Sequence, residues 1–145
     1  MTHIKWLKFL TITAAVVALA MGTALSATGG ETYAPVPKAG EKCPISSTSY
    51  FVYGIDKKPQ MGTLILKVAV YKDGKQQRDG LTIIGDCGMP CMRGHHETGA
   101  VAFKRNQNGD YLLPVDAVMP GDWEIRLKFI KDSQVIYRGS IRIDI

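Results

Sequence analysis

The stretch Trp123-Glu124-Ile125-Arg126-Leu127-Lys128-Phe129-Ile130 decides the fold. Trp123, Ile125, Leu127 and Phe129 fall on one side of an extended chain, and Glu124, Arg126 and Lys128 on the other. That period of two marks a strand with one face buried and one in water. Upstream, Thr63 to Tyr71 repeats it, with Leu64, Leu66, Val68 and Val70 together and Lys67 opposite. Downstream, Gln134 to Ile145 sets Val135, Tyr137, Ile141, Ile143 and Ile145 against Arg138, Ser140, Arg142 and Asp144.

Weaker strand patterns lie at Ser47 to Tyr53, Leu81 to Ile84, Ala100 to Arg105 and Tyr111 to Val115. Turn-forming clusters separate several of them: Lys72-Asp73-Gly74-Lys75, Asn106-Gln107-Asn108-Gly109-Asp110, Pro120-Gly121-Asp122 and Lys131-Asp132-Ser133. About seven short strands without a helical pattern predict an all-β, immunoglobulin-like antiparallel β-sandwich. Asn108-Gly109-Asp110-Tyr111 also hints at a tyrosine corner.

The amino-terminal part reads differently. Lys5 and Lys8 precede an uncharged apolar run from Phe9 to Ala27 that ends in Ala24-Leu25-Ser26-Ala27. This is the pattern of a secretory leader, residues 1–27, cleaved near Ala27 or Ser26 or kept as an amino-terminal anchor. Residues 28–44, rich in Gly, Pro and Ala, read as a flexible tether, and residues 45–145 as the single domain. Export places that domain in the periplasm, free or tethered to the inner membrane, with any membrane contact made only by an uncut amino-terminal segment. The formal charge of the whole chain is +5. Its basic residues form no cluster beyond the leader, which gives nucleic-acid binding no support.

One segment is not explained by the sandwich. Asp86-Cys87-Gly88-Met89-Pro90-Cys91-Met92-Arg93-Gly94-His95-His96 holds two of three cysteines, two of six methionines and two of three histidines. Thiolate and thioether are soft ligands that favour copper(I), whereas two cysteines with two histidines equally suit tetrahedral zinc. The candidate ligands are Cys87, Cys91, His95, His96, Met89 and Met92. Met119 joins them by topology: if successive strands run antiparallel, the connections at 54–62, 85–99 and 116–122 share one end of the sandwich. Met61 falls at that end too, and Cys43 at the other.

Other readings of the same residues stay open. In an oxidising compartment Cys87 and Cys91 can form a loop-stapling disulfide with no metal, and the loop can then dock on a membrane-protein partner through its histidines and Arg93. The methionines can pack as core, and Trp123 reads as core. A cysteine beside a histidine can be a nucleophile, but no third orienting group accompanies this pair, so the chain is expected not to be an enzyme.

The spacing Cys87-x-x-x-Cys91-x-x-x-His95 resembles part of the binuclear copper-A loop of cytochrome oxidase subunit II. Thr98 stands where that loop has methionine, and no upstream histidine is available outside the leader. Sco-type copper chaperones share the cysteine spacing on a thioredoxin scaffold that these strands do not form. A wider resemblance, from about Gly62 to Ile145, is to the exported YtkA-like domains and the related FixH-like proteins. It rests on Gly88-Met89-Pro90-Cys91-Met92-Arg93-Gly94-His95, on Gly109-Asp110-Tyr111 and on Met119-Pro120-Gly121-Asp122-Trp123-Glu124-Ile125. The resemblance implies a small periplasmic β-sandwich linked to copper supply, metal resistance or oxidase assembly, with an inner-membrane oxidase or metal exporter as partner. The cysteine pair departs from that family's commoner methionine and histidine loop.

Overall fold

A computed structural model describes residues 30–95 and 97–145. The expected leader and His96 lie outside the described residues. Glu31 to Ile145 form one compact unit.

The strands are β1 (Ala34–Pro35), β2 (Cys43–Pro44), β3 (Ser49–Ile55), β4 (Gly62–Lys72), β5 (Lys75–Gln76), β6 (Thr82–Gly88), β7 (Val101–Ala102), β8 (Lys104–Arg105), β9 (Tyr111–Ala117), β10 (Asp122–Lys131) and β11 (Gln134–Asp144). They form two sheets, ordered β2-β3-β4-β9-β8 with β5 on β4, and β1-β11-β10-β6-β7. The chain crosses between the sheets after β1, β5, β7 and β9. This is the Greek-key order of an immunoglobulin-like sandwich.

The alternating residues meet between the sheets. Leu64, Leu66, Val68 and Val70 of β4 oppose Trp123, Ile125, Leu127 and Phe129 of β10, and all are buried. Burying each such side chain contributes roughly 1.5–3 kcal/mol, the main return on ordering the chain. Towards one end, Phe51 packs against Phe129 with ring centres 4.7 Å apart and planes tilted by 37°, and both meet Tyr137 edge-on at 5.5 Å.

The structure departs from the sequence expectation in several places. Val135 is not inward: Phe129 pairs with Tyr137 but Ile130 pairs with Val135, so Ile136 is an extra residue in the ladder, and this bulge leaves both Val135 and Ile136 exposed. The strand expected at Ala100 to Arg105 splits at buried Phe103, with β7 pairing to β6 in one sheet and β8 to β9 in the other. Tyr111 opens β9, and its hydroxyl donates to the Leu81 carbonyl at 3.1 Å, tying together two segments 30 residues apart instead of forming a local corner. The described part of the expected tether is packed on the domain: β1 runs parallel to β11, the Val36 amide donates to the Ser140 carbonyl at 2.9 Å, and Glu31 pairs with Lys128. Pro35 is tolerated there because β1 is an edge strand and needs no further donor.

Strand direction places the connections 55–62, 88–101 and 117–122 at one end of the sandwich. Cys43 is at the other, paired with Phe51 and with its thiol 3.1 Å from the Tyr137 hydroxyl.

Candidate functional site

The cysteine and histidine segment begins as strand. β6 continues through Gly88, where a loop from Gly85 was expected, so Ile83, Gly85 and Cys87 all face the core. Cys87 pairs with Ile125 and is only 1% exposed. Thr98 clamps it from the returning chain: the Cys87 amide donates to Thr98 Oγ1 at 3.0 Å, and the Thr98 amide to the Cys87 carbonyl at 2.9 Å. A bridge between Gly88 and Glu97 closes the neck of the excursion that opens at Met89.

Burial pushes the Cys87 thiol up to about 12, with the Asp86 charge adding to the rise and Arg93 and Thr98 opposing it. Desolvation disfavours the thiolate, so the resting sulfur is protonated.

Within the excursion, Met89 is buried and Pro90–Met92 form a single 3-10 turn. Pro90 suits its first position, because the missing N–H would have had no partner there. The Met92 amide donates to the Met89 carbonyl at 2.9 Å and the His95 amide to the Met92 carbonyl at 3.1 Å. This tight turn leaves Cys91 exposed while Cys87 faces the core, and Cys43, Cys87 and Cys91 are all free thiols. The Cys87–Cys91 disulfide is not formed.

The candidate ligands are partly assembled. Cys87 and His95 line one cavity of about 320 Å³ with Glu97, Thr98, Asp116, Val118 and Trp123. Met119 is at the same end, partly buried against the core, and its carbonyl accepts from Trp123 Nε1 at 3.0 Å. Met92 also packs on the core. Cys91 is not part of the cavity wall. Among the described residues, no three His, Cys, Asp or Glu side chains gather closely enough to hold a metal ion.

On the docking reading Arg93 would face a partner; in the structure it turns inward. Its side chain is 15% exposed and bonds to Asp86 at 2.8 Å and to the Glu124 carboxylate at 3.0 Å, with Glu97 at 3.4 Å. Glu124 also accepts from Ser140 Oγ at 2.7 Å and from Arg126 Nε at 3.0 Å. Burial alone would raise the Glu124 carboxyl; the Ser140 hydrogen bond, Arg126 and Arg93 outweigh it and hold the group below its ordinary value. The sequence shows Glu124 only as one outward charge on a strand, and nothing local marks it as the partner of Arg93.

Compared with known proteins, the chain matches no family model, no curated protein and no solved structure.

Proposed function

We propose that this protein is a periplasmic or membrane-tethered, non-catalytic module that binds or delivers copper(I) through the segment from Cys87 to His96. The observation carrying this reading is that Cys87 and His95, eight positions apart, line one cavity at the end where Met89, Met92 and Met119 are also held. A thiol, an imidazole and thioethers make a soft donor set. Binding at Cys87 displaces its proton, so uptake by that sulfur weakens as pH falls. Cys91 and His95, both exposed, are the first donors an incoming ion meets. The short-motif resemblance to YtkA-like domains points to the same chemistry and to an inner-membrane oxidase or metal exporter as partner. Zinc remains the alternative cargo. X-ray absorption on the reduced, copper(I)-loaded protein tests the reading: mixed sulfur and nitrogen scattering is expected, with sulfur diminished in Cys91→Ser. Oxygen-only coordination, or a spectrum that this substitution leaves unchanged, contradicts it.

A second reading, a docking module without metal, is favoured by one observation. Met61 and Val118, 61% and 69% exposed, flank the last pair of the β4–β9 ladder, Gly62 with Ala117. They put two apolar side chains on the end that carries the loop. Mass spectrometry of protein taken directly from the periplasm separates the readings: metal-free protein with a Cys87–Cys91 crosslink favours docking, and bound copper with free thiols favours delivery.

A further inference from the structure

The loop straddles the end of its sheet. On the inner side, Met89 packs into the core, with Cε 2.9 Å from where a Gly121 Cβ would stand. On the outer side, the Arg93 guanidinium reaches down to the strands. One of its terminal nitrogens donates to Asp86 Oδ2 at 2.8 Å and Glu97 Oε2 at 3.4 Å, and the other to Glu124 Oε2 and the Glu124 carbonyl, both at 3.0 Å. Asp86 immediately precedes Cys87, Glu97 closes the neck of the loop, and Glu124 belongs to the neighbouring strand β10. A single side chain therefore ties the middle of the loop, between Cys91 and His95, to the strand that carries the buried thiol and to its neighbour β10.

We infer that Arg93 is a positioning residue that keeps the loop shut over Cys87 and sets Cys91 and His95 above it. Only arginine has the forked donors to bridge three carboxylates at once; lysine offers a single point charge. Truncating Arg93 leaves Glu124 with Arg126 and Ser140 but takes from Asp86 the cation on its Oδ2, while its Oδ1 is already buried without a hydrogen bond, and a buried charge stripped of its partner costs far more than the pair contributes. The least costly relief is local: the loop lifts off and water reaches the acids. Local opening of this kind exposes Cys87 without unfolding the sandwich. This inference rests on the metal-binding reading only for its consequence for copper, not for the closure itself.

Two buried cysteines at opposite ends make the test internally controlled. The reduced full chain and its Arg93→Gln and Arg93→Lys variants are treated with a neutral alkylating agent, and labelling at Cys87 and Cys43 is followed separately by peptide mass spectrometry. Cys87 in Arg93→Gln is expected to react about tenfold faster or more, with Cys43 changed by less than about twofold and Arg93→Lys in between. A Cys87 rate that does not change, or Cys87 and Cys43 rates that rise in step, overturns the inference. If Arg93→Gln does not fold, Arg93→Lys carries the same comparison. Copper(I) affinity of Arg93→Gln should fall about tenfold as the donors lose their fixed positions. A wild-type protein that takes no copper(I) would defeat the proposed function, whereas the labelling comparison would still decide the role of Arg93.

Discussion

Met89 and Gly121 are in contact across the end of the sandwich: the methionine Cε lies 2.9 Å from the place a Cβ at residue 121 would occupy. Gly121 has φ +128°, a conformation that L side chains rarely adopt. The turn carrying Met119 and the loop carrying the cysteines are thus fitted together at a position only glycine fills. Gly121→Ala should destabilise the protein by about 1–3 kcal/mol, from backbone strain and from pushing Met89 out of its seat. Denaturant midpoints measure this, and an unchanged midpoint would show that the contact is loose.

The three thiols should react in a fixed order. Cys91 is exposed, while Cys43 and Cys87 are buried, and the Cys87 thiol is pushed up to about 12. Alkylation of the native reduced protein should modify Cys91 first, by at least about a hundredfold over Cys87, because the reacting species is an accessible thiolate. Peptide mapping over time reads the order directly. Early modification of Cys87 would mean that the strand and its Thr98 clamp are open in solution.

Met119 and Cys43 give a matched pair of sulfur substitutions. Met119→Leu keeps the apolar bulk, so folding should change by less than about 1.5 kcal/mol while copper(I) binding weakens modestly and zinc binding stays nearly untouched. Cys43→Ser, at the far end beside the Tyr137 hydroxyl, should leave metal binding alone and cost about 1 kcal/mol of stability. Affinity and denaturant midpoint, measured together on both variants, check this. Loss of copper on Cys43→Ser would move the third sulfur to the wrong end of the molecule.

The Glu124 cluster sets an acid limit. Its carboxyl is held below the ordinary value of 4.5 in the folded protein. A depressed folded value contributes stability that is fully present above the unfolded value and is lost as pH falls through the folded one. Stability should therefore decline with acidification below about pH 4.5, and Glu124→Gln should flatten that decline while lowering stability near pH 7. Melting temperatures against pH test it. Identical slopes for the two proteins would remove Glu124 from the account.

The three strongly alternating strands could be read from the sequence because each buries one face, and the shared end followed from strand direction alone. Cys87 was misplaced because Gly85 looks like a loop boundary. In the structure Gly85 is an inward strand position without a side chain, since a Cβ there would lie 2.4 Å from Leu113 Cδ2 and 2.9 Å from Phe103 Cε2. That space is taken by residues from β9 and from the segment between β7 and β8, which no local pattern can anticipate. The inward turn of Arg93 depends in the same way on acids at 86, 97 and 124 that meet only after the sheets pair. Glu31 to Pro44 has a tether's composition, and its strand pairing is supplied by β3 and β11, far along the chain.

Titration of the reduced protein with copper(I) against a competing chelator tests the central claim most directly, on the wild type, on Cys91→Ser and on a protein with Cys87 and Cys91 both replaced by serine. Cys91→Ser alters only an exposed side chain, so its fold should be intact and a change in binding belongs to the site. The account predicts tight binding by the wild type, weaker binding by Cys91→Ser and loss of the site in the double variant. Copper(I) stoichiometry and affinity unchanged by the double replacement would contradict it.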